Sequence, residues 1–283
     1  YLNLSFRLKH DSPYAERGFE IAKEQLEIAS PGGPSVGQDI PPAQGKLSWE
    51  QGEKIHISGT DFKLVVDAQT GALCEYRYRG ATLLSEPLMP CFWRVPTDND
   101  EGGGESSFAH RWRVAGLDHY SVKVNALHLN PQENGELKLE VLSTLSFKEG
   151  RMNLAAHYTV EPDGRVDVQV DLTLLDDFPP LARVGVQFAM PSAYSHMTWY
   201  GRGPFENYQD RKGSAHVGLY SGSVADQHFE FVMPQENGNK TDVRWIKVMD
   251  KAETGLKVSG EPVLEVNVQD YSQRTLNDAK TSH

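Results

Sequence analysis

Residues 199–245 read WYGRGPFENYQDRKGSAHVGLYSGSVADQHFEFVMPQENGNKTDVRW, and the rest of the chain is organised around this stretch. It contains the dipeptide Glu-Asn twice, at Glu206-Asn207 after a Gly-Pro step and at Glu236-Asn237 before a glycine. Proline fixes its own φ and glycine permits positive φ, so both positions predict turns. The density of Trp, Tyr, Arg, Glu and Asn exceeds what an ordinary surface loop needs.

Several arginines lie close in sequence to these glutamates, and the fork of a guanidinium pairs well with a carboxylate. Two interpretations follow. Either a buried polar network ties the two turns to the sheet, or Glu206 with Asp210 or Glu236 forms an acid–base pair. We favour the network, because arginines within reach would hold the carboxylates ionised. Its predicted members are Arg202, Glu206, Asn207, Asp210, Arg211, Glu236, Asn237 and Arg244.

Aromatic side chains also gather around this stretch. They suit either a sugar-stacking platform or a hydrophobic core, and the core is the favoured interpretation. The residues concerned are Trp93, Trp112, Trp199, Tyr200, Tyr208 and Trp245. His216 is the only histidine inside a dense motif, and we expect it to anchor a strand rather than transfer a proton.

Residues 90–105, PCFWRVPTDNDEGGGE, form the second informative stretch, in which an apolar strand runs into an acidic, glycine-rich loop. A calcium loop of the EF-hand type needs Asp or Asn at positions one, three and five. Counted from Asp98, the fifth position is Gly102, so the pattern fails. A solvated, mobile loop is favoured over a metal site. The third interpretation is a lid that closes over a ligand bound elsewhere.

Composition excludes several classes of function. The formal net charge is −11 and no run of Lys or Arg occurs, which argues against nucleic acid and against an anionic membrane as partner. The apolar runs are too short to span a bilayer. Cys74 and Cys91 lack metal-ligand spacing and are expected to be small core residues.

Alternation of apolar and polar residues predicts many strands and almost no helix, and therefore one large antiparallel two-sheet domain. Residues 21–28 are ambiguous between helix and strand. The predicted strands cover residues 2–8, 54–58, 62–67, 73–78, 82–84, 127–129, 137–147, 151–161, 165–175, 182–189, 230–232 and 264–268.

Proline and glycine divide the chain. Residues 30–46 contain PGGPSVG and IPPAQG without periodicity, which predicts a linker. Two strands do not form a stable unit alone, so residues 1–29 are interpreted as the end of a preceding β-sandwich. Residues 47–283 are then the main domain.

Four motifs occur in this chain in a fixed order, namely FWRVPTDNDEG, RWRVAGLDHY, WYGRGPFENYQDRKGSAHVGLY and PQENGNKTDVRW. Together they resemble the C-terminal domain of the large bacterial β-galactosidases of glycoside hydrolase family 2. The final YSQRTLNDAKTSH resembles the same domain further on, and the first 29 residues resemble the end of the β-sandwich that precedes it. The resemblance implies an all-β fold, a large antiparallel β-supersandwich of the galactose-mutarotase-like type over residues 47–283, truncated at its C-terminal end.

The resemblance also implies a parent enzyme that hydrolyses terminal β-D-galactosides such as lactose with retention. In that family the two catalytic glutamates lie on a TIM barrel, whose motifs are absent here, so no catalytic residue and no metal ligand is expected in this chain. Magnesium and sodium would be bound mainly by other domains. The implied partners are the β-galactoside, the barrel of the same chain and further copies in a homo-oligomer. The compartment stays open, with the cytoplasm favoured over the periplasm.

By the same resemblance, the acidic stretch is a substrate-proximal loop that gates the active site. Its matching residues are Arg94, Asp98, Asn99, Asp100, Glu101 and Gly102. The run of three glycines departs from the family pattern and predicts a more mobile loop. The alternative is an independent carbohydrate-binding or mutarotase-like module, in which His216 would face Glu206 or Glu236 across an open groove.

Overall fold

The computed structural model describes residues 1–28 and 45–281. Within these ranges, antiparallel strands dominate and the helices are short. The helices are α1 (Asp98–Glu101), α2 (Phe108–Ala115) and α3 (Gln273–Asp278), with 3₁₀ turns at Gly104–Ser106 and Ala225–Gln227. The strands are β1 (Leu2–Arg7), β2 (Glu20–Leu26), β3 (Ser48–Gln51), β4 (Lys54–Ser58), β5 (Phe62–Asp67), β6 (Leu73–Tyr78), β7 (Ala81–Thr82), β8 (Glu86–Cys91), β9 (Ser121–Pro131), β10 (Leu137–Ser146), β11 (Arg151–Val160), β12 (Val166–Leu174), β13 (Gly185–Ala189), β14 (His196–Gly203), β15 (His216–Ser223), β16 (Lys240–Met249) and β17 (Gly255–Val266).

Two sheets enclose the main core. The first sheet has the order β13-β8-β6-β5-β4-β3, with β7 on β6, and the second has the order β12-β11-β10-β9. Burial alternates along β10 and β11, as expected for strands with one face on a core. Buried side chains from both sheets, such as Ile57 and Leu64 from the first and Leu139 and Met152 from the second, belong to one hydrophobic cluster. The all-β, antiparallel prediction is therefore confirmed.

The third sheet carries the site. Its order is β15-β14-β16-β17, and Met197, Trp199, Val243 and Ile246 form its own buried cluster. The pairing of β16 with β17 shifts register between Lys240 and Val243, as a β-bulge does.

The N-terminal hairpin, β1 with β2, lies against the edge of the third sheet. The side-chain amide of Gln25 donates to the carbonyl of Val217 at 2.8 Å, and its oxygen accepts the N–H of Val217 at 2.7 Å. Because β15 is the edge strand of its sheet, Gln25 satisfies backbone groups that a neighbouring strand would otherwise take.

Most predicted strands were found, three of them with the predicted ends, at residues 54–58, 62–67 and 73–78. The ambiguous residues 21–28 are mainly strand. The strand predicted at residues 230–232 is wrong, because that segment is irregular. The helix α2 was not predicted at all. Residues 30–44 of the predicted linker lie outside the described residues. Among the described residues, no helix is long and apolar enough to cross a membrane.

Candidate functional site

The acidic segment, residues 96–105, begins with a short helix. Thr97 is the N-cap of α1, and the Asp100 carboxylate accepts both the N–H and the hydroxyl of Thr97 at 2.8 Å. The guanidinium of Arg94 donates to the same carboxylate at 2.6 and 2.9 Å. Burial acts to raise the pKa of the Asp100 carboxyl, but the hydrogen bonds from Arg94 and Thr97 outweigh it and the pKa is lowered.

The expectation of a water-facing loop throughout this segment is therefore wrong at Asp100, which is buried. The physical reason is the capping box, Thr-x-x-Asp, which starts a helix where the glycines alone predicted a loop. Asp98, Asn99 and Glu101 are exposed, and Glu101 forms an ion pair with Arg113 of α2.

Arg94 lies just before this segment, and two of the glycines that follow α1 differ in conformation. The guanidinium of Arg94 lies 5.0 Å from the ring centroid of Trp112 in α2, within cation–π range. Gly102 has φ −65°, which any residue adopts, whereas Gly103 has φ 107°, which favours glycine. Of the two, only Gly103 needs to be glycine in this conformation.

The second Glu-Asn loop, residues 234–239, is built around a buried carboxylate. The side chain of Glu236 is 0% exposed and lies 2.6 Å from the guanidinium of Arg183. Asn267 donates to the same oxygen at 2.9 Å, and Gln273 donates to the other oxygen at 3.3 Å. The sequence prediction missed Arg183, because it lies 53 residues away and precedes β13.

The first Glu-Asn loop, residues 204–211, is bonded directly to the second. Glu206 accepts from Arg211 at 2.6 Å and from the backbone N–H of Gly238 at 2.7 Å. The side-chain oxygen of Asn207 accepts both the N–H and the hydroxyl of Thr241, at 2.9 and 2.6 Å. Asn207 and Asn239 are joined by two further bonds. These contacts fix the two loops to each other.

The acidic segment also touches the second Glu-Asn loop. The N–H of Asp98 donates to Gln235 at 3.3 Å, and the Gln235 amide donates back to the Asp98 carboxylate at 3.1 Å. The N–H of Glu236 donates to the carbonyl of Val95 at 3.3 Å. The two stretches singled out in the sequence therefore form one continuous site.

Lys240 is a buried cation at the centre of this site, which sequence reasoning missed. Its ammonium lies 5.4 Å from the ring centroid of Trp199 and donates to the carbonyl of Gly238 at 3.0 Å. Burial lowers the pKa of Lys240 to about 8, and the charge of Glu206 opposes that effect in part.

Three predicted members of the network lie differently from expectation. Arg202 does not pair with Glu206 or Glu236 but with Asp242, which also binds Lys212 at 3.2 Å. Asp242 has φ 51°, within the bulged part of β16. This bulge turns its carboxylate toward the two cations, a feature that no local sequence signal predicts.

The other two predicted members of the network that lie differently from expectation are Arg244 and Asp210. The guanidinium of Arg244 donates to the backbone carbonyl of Asp242 and, at 2.8 Å, to the hydroxyl of Tyr1. Asp210 is exposed and makes no hydrogen bond or ion pair with any residue that the structure describes. Asp210 is therefore not a bonded member of this cluster.

The aromatic residues divide between core and surface. Trp93, Trp112 and Trp199 are buried, and Trp93 and Trp112 pack edge to face in a small cluster beside α2. Tyr200, Tyr208 and Trp245 are half-buried. The hydrogen-bond partners of Glu206 and Glu236 in the described part of the chain do not include the ring of His216.

Metal-ligating and thiol side chains were also located in the described part of the chain. Within the described ranges, no three side chains among His, Cys, Asp and Glu cluster closely enough to hold a metal ion. Cys74 and Cys91 are free thiols, Cys91 buried and Cys74 half-buried.

Every buried or half-buried carboxylate of the site described above faces a cation. The pairs are Asp100 with Arg94, Glu206 with Arg211, Glu236 with Arg183, and Asp242 with Arg202 and Lys212. A carboxylate held this way accepts hydrogen bonds from its cation, which suits fixing loops better than moving protons.

Comparison with known proteins gives a consistent result. Residues 58–283 match the family described as "Beta galactosidase small chain". A β-galactosidase of Priestia megaterium is 35% identical over 96% of this chain, which covers 25% of that protein. A β-galactosidase of Vibrio cholerae is 33% identical over 100% of this chain and 27% of its own. One from Halalkalibacterium halodurans is 31% identical over 96% of this chain and 26% of its own. The chain thus spans about a quarter of the length of the curated relatives it matches.

Proposed function

The chain belongs to the β-galactosidase small-chain family, and on that basis we propose that it is the non-catalytic C-terminal domain of a longer β-galactosidase. The parent enzyme hydrolyses terminal β-D-galactosides such as lactose with retention, as glycoside hydrolase family 2 does. The bond-breaking carboxylates lie on a TIM barrel elsewhere in the same polypeptide.

One observation carries the non-catalytic part of the proposal. Retaining glycosidases need two carboxyl groups about 5 Å apart, one of which gains and loses a proton during the reaction. Here Glu206 and Glu236 each face an arginine, and the side chain of Glu236 is closed to solvent. Both contacts favour a structural role for these two carboxylates over proton transfer.

The second part of the proposal is a supporting and gating role at the active site. The acidic segment is fixed to the second Glu-Asn loop by Asp98, Gln235 and the backbone of Val95. These bonds are few and reach α1 at its first residue, Asp98, whereas the buried Asp100 is held by the charge of Arg94. We assign the exposed residues Asp98, Asn99, Glu101 and Gly102 to the face turned toward the barrel, where they change conformation as substrate moves deeper.

Metals and partners follow from the same assignment. The proposal places the magnesium and sodium of the parent enzyme mainly on other domains. The barrel of the same chain and the β-galactoside are the partners of this domain, and the parent enzyme is a homo-oligomer. An independent carbohydrate-binding or mutarotase-like module is the alternative.

The proposal is tested by comparing the full-length enzyme with residues 1–283 alone. Both are assayed with a chromogenic β-galactoside, the shorter chain at high concentration. We expect turnover with retention by the full-length enzyme and no turnover by residues 1–283. Turnover by the shorter chain that survives purification and is lost in Glu206→Gln would overturn the proposal.

A further inference from the structure

The outer face of the third sheet, β15-β14-β16-β17, carries two of the half-buried aromatic rings. Tyr200 on β14 pairs directly with Trp245 on β16, and their ring centroids lie 6.4 Å apart. Their chain neighbours Trp199 and Ile246 belong to the buried cluster of this sheet, so the two rings point to the opposite face. Leu219, the partner of Tyr200 on β15, is 66% exposed. Solvent therefore reaches this face of the sheet.

Three cations lie over these rings. The ammonium groups of Lys247 and Lys257 lie 5.6 and 5.5 Å from the ring centroid of Trp245. The guanidinium of Arg244 lies 5.6 Å from the ring centroid of Tyr200. All three distances are within cation–π range, and Lys247 is the direct partner of Lys257 in the pairing of β16 with β17. We call Tyr200, Arg244, Trp245, Lys247 and Lys257 the basic-aromatic face.

No carboxylate within the described ranges forms an ion pair with the three cations of the basic-aromatic face. Arg244 donates instead to the hydroxyl of Tyr1 and to the backbone carbonyl of Asp242. The paired positions beside the rings on the same face carry no Asp or Glu. These positions are His196, Thr198, Ser221, Ser223, Met249, Gly255 and Ser259. A chain of net charge −11 thus presents a local surface with three positive charges.

The local charge, not the net charge of the chain, decides what the basic-aromatic face attracts. At physiological ionic strength, exposed charges separated by more than about 8 Å are largely screened from each other. An anion that contacts this face therefore interacts with Arg244, Lys247 and Lys257 rather than with the acidic remainder of the chain. Each of these side chains donates hydrogen bonds, which charge strengthens when the acceptor is a carboxylate or a sulfate.

We propose that the basic-aromatic face binds an acidic glycan, that is, a chain of sugars bearing carboxylate or sulfate groups. The three cations bind those groups, and the rings of Tyr200 and Trp245 offer apolar surface to the C–H faces of the sugars. Thr198, Ser221 and Ser259 lie on the same face, and their hydroxyls can donate to and accept from sugar hydroxyls. None of these residues lies in the acidic segment or in either Glu-Asn loop, so the inference goes beyond the proposed function.

The combination of charge, ring and hydroxyl selects a glycan over an acidic peptide. A peptide rich in Asp and Glu would meet the cations but would leave the rings and the hydroxyls without matching groups, and its flexible side chains would lose entropy on binding. A glycan has groups that match all three features. The face is built on four paired strands, so it is formed before the glycan arrives and the protein loses little entropy on binding.

Isothermal titration calorimetry with the full-length enzyme tests this inference. The probes are oligogalacturonate, which carries carboxylates, and dextran sulfate, with uncharged dextran and polyglutamate as comparisons. None of the four contains a β-galactoside, so the proposed active site does not take them up. We expect at least one of the two acidic glycans to bind, and the tighter of them identifies carboxylate or sulfate as the bound group. Uncharged dextran and polyglutamate should bind at least about tenfold more weakly.

A double variant and a matched control locate the binding. Lys247→Gln/Lys257→Gln removes two charges from the basic-aromatic face, whereas Lys63→Gln/Lys138→Gln removes two charges from exposed positions on the first and second sheets. The first should weaken glycan binding about tenfold, and the control should change it by less than about twofold. Trp245→Leu should weaken the binding of the glycans but not that of polyglutamate, since it removes only ring surface. Thermal unfolding and hydrolysis of a chromogenic β-galactoside check that each variant is folded.

Four outcomes would overturn the inference. Polyglutamate bound as tightly as the glycans would show a peptide as the occupant, and no binding of any probe would show a face closed to glycans. Equal losses in the double variant and its control would show attraction by net charge alone. Sedimentation in which the double variant loses a contact between subunits would show a second copy as the occupant. Hydrolysis is measured on the same samples, and its persistence leaves the proposed function standing, so the two failures are distinguishable.

Discussion

Replacing Lys240 by methionine measures the cost of a buried charge in the site. Lys240 is 2% exposed, and its pKa is lowered from 10.5 to about 8. This difference in pKa corresponds to about 3 kcal/mol of folding free energy, since a difference of one in pKa equals about 1.4 kcal/mol. Methionine has a similar length and no charge to bury.

The direction in which folding stability changes with pH follows from proton binding by Lys240. Between pH 8 and 10.5 the unfolded chain holds a proton on Lys240 that the folded chain has lost, so stability rises with pH across this window. Below pH 8 the full cost of the charge is present. Lys240→Met removes this cost but also the bond to Gly238, worth about 1 kcal/mol at any pH. At pH 7 the Lys240→Met variant of residues 1–283 should therefore be more stable than unsubstituted residues 1–283 by about 2 kcal/mol.

Urea unfolding followed by tryptophan fluorescence at pH 7, 8, 9 and 10 measures both quantities. The free energy of unfolding of unsubstituted residues 1–283 minus that of the Lys240→Met variant should rise by about 2–3 kcal/mol from pH 7 to pH 10. Lys251→Met, at an exposed turn, is the control and should give a flat difference. A flat difference for Lys240→Met as well would refute the reasoning, because the lysine would then bear no burial cost.

Four further substitutions test backbone and side-chain contacts of the site and of the N-terminal hairpin. Gly103→Ala should cost about 1 kcal/mol in thermal unfolding, because Gly103 has positive φ. Gly102→Ala should be neutral in stability, since a Cβ there meets only a carbonyl oxygen at 3.6 Å. In the full-length enzyme Gly102→Ala should change the binding of ground-state and transition-state analogues by different factors, and no change in either would remove the gating role. Asp100→Asn should cost about 2–3 kcal/mol at pH 7. The pKa of Asp100 is lowered in the folded state. The difference in unfolding free energy between the unsubstituted chain and Asp100→Asn should therefore vanish as the pH falls below 3.8. A difference that stays constant in acid would contradict the pairing of Asp100 with Arg94. Gln25→Ala should remove hydrogen-exchange protection at the Val217 amide but not in β10, and unchanged protection would disprove the edge contact.

Local pattern predicted the strands of the two-sheet core well, because period-two alternation coincides with burial there. β4, β5 and β6 were predicted with the ends they have in the structure. Alternation failed at residues 230–232, where no strand forms, Val232 is exposed and Phe231 is half-buried. It also missed α2, whose start is set by the Ser107 side chain accepting the N–H of His110.

The site could be predicted only in part, because its partners are distant in sequence. Glu206 and Arg211 are five residues apart, and their ion pair could be read from the motif. Arg183 reaches Glu236 across 53 residues, and Asp242 faces Arg202 across 40 residues, through a bulge that has no sequence signature. Which carboxylate meets which arginine is decided by the sheet, and the motif alone does not contain that information.

The most direct test of the account is Glu236→Gln in the full-length enzyme, with kcat and thermal unfolding measured on the same sample. Glutamine cannot neutralise Arg183, and its amide would face the donors of Asn267 and Gln273. We predict a loss of about 3–5 kcal/mol in stability, as for other broken buried ion pairs. Below its melting temperature, the folded variant should keep kcat within a few-fold of the parent enzyme. A variant that unfolds like the parent enzyme but loses about a thousandfold in kcat would contradict the account, because Glu236 would then act in the chemistry.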